Sequence, residues 1–172
     1  MTRPGDGTYV RKACAYVTRE SGDLLVFEGP EHEGYQVPKG TVEGDETPRE
    51  AVYREIAEES GLGRVGPVRH LASDVWCRRE TPPRWYVRSF FHARVHDARD
   101  RWCHTVRDGG AEHGLEFEFS WTTPGADLEF ALDLDEYVFM LGAEETGSGT
   151  TSETPAGDRS SVWNRTHTSG GG

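Results

Sequence analysis

Residues 40–62 read GTVEGDETPREAVYREIAEESGL, and their local chemistry can be worked out without reference to the rest of the chain. Thr47 is placed as an N-cap, Pro48 takes the first helical position, and Glu50 follows Thr47 at the spacing of a capping box. Gly61 stands where a left-handed residue would stop the helix, with Leu62 returning to the core. On this helix of about four turns, Glu55, Glu58 and Glu59 lie at i, i+3 and i+4. They project from one side, beside an apolar stripe of Val52 and Ile56. Like charges at this spacing destabilise a helix by roughly 0.2–0.5 kcal/mol per pair, and the macrodipole makes carboxylates near the C-terminus worse. Stability alone does not select such a cluster. Gathered hard oxygens are what Mg²⁺ or Mn²⁺ requires, and the ion would turn repulsion into coordination. An isolated ExxEE cluster is more often a solvated face, so its surroundings decide.

Outward from the helix, residues 9–18 and 23–27 read as strands around a Glu20-Ser21-Gly22 turn. Residues 29–34 read as a Gly/Pro/charge loop before 35–37, and Pro38-Lys39-Gly40 breaks the chain again. Beyond Gly61, residues 68–76, 85–96 and 115–121 mix apolar, β-branched and aromatic positions as strands of one sheet would, with 97–114 as a loop or hairpin. The apolar set between 127 and 141 is partly compatible with a helix on the sheet. The expected domain is 1–142. Residues 143–172 are Gly-, Ser- and Thr-rich, with Trp163 the one large aromatic, and are expected to form a tail too polar to fold.

Nineteen Lys plus Arg against thirty Asp plus Glu give a net charge of −11, which repels a nucleic-acid backbone. The expected partner is therefore a small phosphorylated molecule brought in by a cation, not nucleic acid, and a homodimer is allowed. Only Lys12 and Lys39 are lysines. That bias fits a GC-rich genome or a salt-adapted proteome. Cys14, Cys77 and Cys103 are odd in number and scattered, suggesting neither a disulfide framework nor a CxxC metal site. Residues 1–9 hold no apolar run suited to a signal peptide, and no run approaches membrane-spanning length. The expectation is a soluble, cytoplasmic protein without membrane contact.

The central stretch also matches GX5EX7REUXEEXGU, with U aliphatic, at Gly40, Glu46, Arg54, Glu55, Ile56, Glu58, Glu59, Gly61 and Leu62. Residue frequencies make that a coincidence on the order of one in a billion per start position, which overturns the solvated-face reading. On these residues the chain resembles the Nudix superfamily, over roughly residues 8–142. The resemblance implies an α/β fold, an α/β/α sandwich around a mixed β-sheet, with the motif as a loop, helix and loop beside the substrate. It also implies Glu55, Glu58, Glu59 and the Gly40 carbonyl as ligands of Mg²⁺ or Mn²⁺, Glu58 as a base, Arg54 orienting the carboxylates and Glu46 supporting the loop. The implied reaction is water attack on phosphorus, cleaving a phosphoanhydride in a nucleoside diphosphate-linked substrate, with dinucleoside polyphosphates slightly ahead of nucleoside triphosphates.

Many family members use a further acid beyond the motif. Glu112, Glu116 and Glu118 precede Trp121 where it would sit, and Glu116 is the candidate taken. Alternation also makes Glu116 and Glu118 an ordinary solvent face opposite Phe117 and Phe119. Pro38-Lys39-Gly40 departs from the common Pro-Gly-Gly and resembles the diadenosine and diphosphoinositol polyphosphate hydrolase branches. Lys39 there touches an extra phosphate or solvent. Arg84, Arg88 and Arg94, at even-numbered positions along one strand, face phosphate or water, and Arg88 is taken as substrate-binding. His92, His96 and His104 lack metal-ligand spacing and are assigned to packing or surface. Gly44-Asp45 before Glu46 departs from the usual loop. The competing reading is a catalytically silent domain retained as a nucleotide-binding regulatory module, a state that usually shows a broken glutamate set.

Overall fold

In the computed structural model, which describes residues 7–96, 99–108 and 110–143, the chain folds around one long strand, β1 (Thr8–Thr18). Residues 13–18 of β1 are all buried, the mark of a strand covered on both faces. One edge of β1 runs parallel to β6 (Arg84–Arg94) over its whole length, from Thr8 opposite Arg84 to Thr18 opposite Arg94. The other edge is shared. Its middle, Lys12 to Cys14, pairs antiparallel with β4 (Lys39–Thr41), Ala13 opposite Gly40, and its end meets β2 (Leu24–Gly29) at Thr18 and Leu24. β5 (Arg69–Arg78) flanks β6, while β8 (Glu116–Thr122) and then β7 (Arg101–Thr105) extend the sheet beyond β2. The order is β5-β6-β1-β2-β8-β7, with β3 (His32–Gln36) on β2. Strands β3 and β4 lie where a loop and a chain break were expected. Pairing continues through Pro38 because its carbonyl accepts the Ala15 N–H at 2.8 Å.

Alternation along β1 divides the core. Ala13, Ala15 and Val17 face α1 (Pro48–Ser60), packing with Val52, Ile56, Phe27, Phe117 and Phe119. Cys14 and Tyr16 face the other way, onto Val26, Phe90, Leu134 and Val138. The helix is bounded as its sequence predicts. The Thr47 and Glu50 capping box is formed, and Gly61 sits at φ 73° with its N–H on the Ala57 carbonyl. Val52, Glu55, Ile56 and Glu59 are all buried, which puts two carboxylates on the packed face.

The second layer differs from expectation. Residues 127–141 do not form a helix but a run of turns: a short 3₁₀ stretch at Ala131–Asp133, then only α2 (Met140–Ala143). Leu128, Phe130, Leu132 and Leu134 recur every second residue rather than every three to four, and Leu132 and Asp133 take left-handed conformations. Side chains from the sheet supply the hydrogen bonds a helix would have made internally. Tyr16 Oη donates to the Leu134 carbonyl (2.7 Å) and accepts the Tyr137 N–H (3.2 Å), and Arg88 donates to the Leu132 carbonyl (2.8 Å). The layer thus covers the sheet and leaves an α/β fold with one long helix among the described residues. Residues 144–172, including Trp163, lie outside the described residues.

Candidate active site

Arg54 is the hub of the glutamate cluster. Nη1 donates to Glu55 (2.7 Å) and Glu58 (3.1 Å), Nη2 to Glu46 (2.6 Å) and the Thr41 carbonyl (2.9 Å), and Nε to Glu46 (3.2 Å). One planar fork therefore ties the loop, β4 and three carboxylates together, as only arginine can. Hydrogen bonding from Arg54 holds the Glu46 carboxyl below the usual carboxylate range. Gly44 takes φ 47°, so the unusual Gly44-Asp45 turn still delivers Glu46 to Arg54.

Glu55 is 6% exposed, and burial pushes its carboxyl up to about 7 against the pull of Arg54. Glu59 is 1% exposed. Burial raises it well above the ordinary range, the Lys39 charge opposing and the Glu112 carboxyl adding to the rise. Glu59 Oε2 accepts the Lys39 backbone N–H at 2.9 Å, while Oε1 is buried with no donor in hydrogen-bonding geometry among the described residues. Glu58 is the more open of the three, its side chain 22% exposed. A Cβ at position 40 would lie 1.9 Å from the Glu55 carboxyl carbon, so glycine alone lets β4 come this close to the cluster.

Among the described residues, no three His, Cys, Asp or Glu side chains converge as a ready metal cage, because the carboxylates fan onto Arg54. The donor set nonetheless fits Mg²⁺ or Mn²⁺. It offers three hard carboxylates, one buried oxygen without a partner, and the Gly40 backbone against Glu55.

Outside the helix, the structure places the candidate residues as follows. Glu116 stands at the start of β8. It is exposed on the face opposite Phe117 and Phe119, and its neighbour Glu118 is taken by Arg101 at 2.8 Å. Glu112, in the 3₁₀ turn Gly110–Glu112, is the acid that faces Glu59. No periodic signal marks it, since a turn rather than a strand carries it in. Arg88, taken as substrate-binding, lines the cavity described below with its charge already engaged. It is 3% exposed, grips Asp74 at 2.6 and 2.8 Å, and lies over Trp76 and Phe90. Its work is to fasten the Leu132 loop to β6. Arg94 is exposed at the end of that strand. The histidines pack as expected. His92 is buried against Thr18 (2.7 Å), His96 pairs with Glu20 at the surface, and His104 Nε2 donates to the Glu58 carbonyl (2.9 Å).

Beside the cluster, on the sheet face away from α1, opens a cavity of about 300 Å³. Lys39 and Glu112 join the two: Lys39 holds Glu59 through its backbone, and both side chains line the cavity.

Comparison with known proteins agrees with this geometry. The NUDIX domain profile matches residues 8–124. An RNA pyrophosphohydrolase of Pseudomonas paraeruginosa is 41% identical over 69 residues, 40% of this chain and 43% of that protein. One of Halorhodospira halophila is 38% identical over 68 residues, 40% of this chain and 38% of its own. The chain thus spans less than half the length of these curated relatives. Among solved structures, the MutT protein of Methanosarcina mazei Go1 superposes with TM-score 0.55 at 18% identity, covering 81% of this chain and 97% of that one. The NUDIX domain of Shewanella oneidensis NrtR, complexed with ADP ribose, does so with TM-score 0.57 at 14% identity, covering 81% and 88%. At those identities the likeness is one of fold.

Proposed function

Because the chain belongs to the NUDIX family, we propose that it is a divalent-metal-dependent hydrolase cleaving a phosphoanhydride bond in a nucleoside diphosphate-linked substrate, a dinucleoside polyphosphate or nucleoside triphosphate first. The observation that carries this reading is the pair of buried carboxylates, Glu55 and Glu59, held beside Glu58 with one oxygen left without a donor. Burying such groups together is unfavourable unless a cation offsets their charge.

Glu55, Glu58, Glu59 and the Gly40 carbonyl would hold the ion. Bound there, Mg²⁺ or Mn²⁺ would supply positive charge that makes a water more acidic and neutralises phosphate oxygens. Glu58, the most open of the three, is placed to take the proton from the attacking water. Arg54 keeps Glu55 and Glu58 in register, and the Lys39 N–H fixes Glu59. Glu112 is the acid beyond the motif that assists at Glu59.

The relatives are named for RNA, whereas a net charge of −11 disfavours a long nucleic-acid backbone. Triphosphorylated RNA therefore joins dinucleoside polyphosphates, nucleoside triphosphates, nucleotide sugars and diphosphoinositols in the test. Product release is followed by chromatography with Mg²⁺ or Mn²⁺. Turnover of one class that needs metal and vanishes in Glu58→Gln supports the proposal. Binding without turnover throughout would replace it with the regulatory-module reading.

A further inference from the structure

Among the described residues, α1 covers only part of the sheet face that alternation turns toward it. Along β1 that face carries Tyr9 and Arg11, both exposed, then Ala13, Ala15 and Val17, all buried under the helix. β6 repeats the step: Trp85 and Val87 are half-buried, whereas Phe91 and Ala93 are buried. The register sets Tyr9 in line with Trp85 and Cys77, and Arg11 in line with Val87 and Val75, and residues paired in this way share a face. Tyr9 stacks on Trp85 with ring centroids 6.3 Å apart. Tyr9 is 57% and Val75 58% exposed, and none of these five apolar side chains joins either core. A single exposed apolar residue is ordinary. Five adjacent ones, in two rows at one corner of a sheet, mark a surface that another surface covers.

The rim of this corner carries charges of both signs. The Val42 N–H donates to the Arg11 carbonyl (2.9 Å) and Arg11 Nη2 to the Gly44 carbonyl (3.4 Å). Arg11 therefore stands against the loop that carries Glu43 and Asp45, and all three are exposed. A cation and acids side by side on one rim suit a two-fold contact, in which Arg11 of one copy faces the acids of the other. A nucleic acid fits less well, since its phosphates would meet those acids and a net charge of −11. Residues 1–6, MTRPGD, lead into Gly7, where a Cβ would lie 2.9 Å from the Trp85 ring, but they offer only Met1 as a long apolar side chain. We propose that Tyr9, Val75, Cys77, Trp85 and Val87 form the centre of an isologous interface with a second copy of this chain. Two copies of charge −11 repel, so the contact is held by apolar burial and tightens as salt screens the charge. The interface lies on the sheet face opposite the cavity and is independent of the hydrolytic reading.

Sedimentation velocity of the full chain between about 1 and 100 μM is the test. A monomer–dimer equilibrium is expected, shifted toward dimer as NaCl rises from about 0.05 to 0.5 M. Val75→Glu should weaken association by about tenfold or more, since a carboxylate would be buried against apolar side chains. Its circular dichroism should match wild type, because position 75 is open to solvent in the single chain. Phe139→Glu, at a site 76% exposed in the second layer, should leave the dimer intact. Arg11→Glu should weaken the dimer, and adding Asp45→Arg should restore it. Maleimide labelling of Cys77, with the exposed Cys103 as reference, should slow in step with dimer formation. A monomer at every concentration overturns the proposal: slow Cys77 labelling would then assign the patch to residues 1–6, and fast labelling to a different partner. A dimer that Val75→Glu leaves unchanged, or that Phe139→Glu disrupts equally, overturns it as well.

Discussion

Replacing Gly40 by alanine probes the tightest contact in the site. The new Cβ would stand 1.9 Å from the Glu55 carboxyl carbon and Oε1, and 2.3 Å from Oε2. To restore ordinary contact the carboxyl must retreat by about 1.5 Å. It is the carboxyl that gives way, because β4 is locked to β1 at Ala13, which is fully buried, whereas Glu55 ends a flexible side chain. Gly40 does not have a positive φ, so alanine is tolerated by the backbone, and the thermal midpoint should stay close to wild type. A misplacement of this size in a catalytic constellation lowers turnover by about a hundredfold. The assay is steady-state kinetics at saturating substrate and metal, alongside thermal denaturation. Gly63→Ala, where a Cβ meets nothing within 4 Å, is the control. Adding Glu55→Asp to Gly40→Ala shortens the obstructed side chain and should restore part of the lost rate. A Gly40→Ala enzyme within about threefold of the wild-type kcat would refute the reasoning, since rate depends on placement of this kind.

Two further substitutions test the surroundings. Arg54→Lys keeps the charge but not the fork that reaches Glu46, Glu55, Glu58 and Thr41 together. Turnover should drop by about a hundredfold and unfolding free energy by about 1–3 kcal/mol, and kinetics and urea denaturation of the variant matching wild type would contradict the hub role. His92 is buried, and burial first, then Arg94 and Arg69, pull its pKa down from 6.5 to about 4. Between those values only the unfolded chain takes the proton, so stability present above pH 6.5 is lost on acidification, by about 2.5 kcal/mol at pH 4.5. His92→Gln should lack that loss, and parallel urea-unfolding profiles of the two proteins from pH 7.5 to 4.5 would show the assignment to be mistaken.

What the sequence revealed, and what it hid, follows the range of the interactions involved. The capping box, the Gly61 stop and the i, i+3, i+4 carboxylates join residues within about one helical turn, and each appears as read. The parallel pairing of β1 with β6 joins residues 76 positions apart, such as Thr8 and Arg84, and nothing in either strand's alternation announces it. The turns of residues 127–141 escaped for the same reason, being tied by Tyr16 and Arg88 from distant strands. Glu112 was one of three candidates, and only the 3₁₀ turn that carries it separates it from Glu116.

The same distinction explains how the helix tolerates its own active site. By local rules, three carboxylates near a helix C-terminus face both one another and the negative end of the macrodipole. The structure answers with donors from outside the helix. Trp102 Nε1 donates to the Ser60 carbonyl and His104 Nε2 to the Glu58 carbonyl, each at 2.9 Å, so β7 satisfies carbonyls of the last turn that the helix leaves without a partner. Those bonds cross more than forty positions of sequence, and Gly61 is where they meet the helix, since a Cβ there would lie 2.8 Å from His104 Nδ1. The glycine that reads locally as a helix stop is therefore also the opening that admits His104. The motif that looks self-contained in sequence depends on an edge strand to hold its charged end in place.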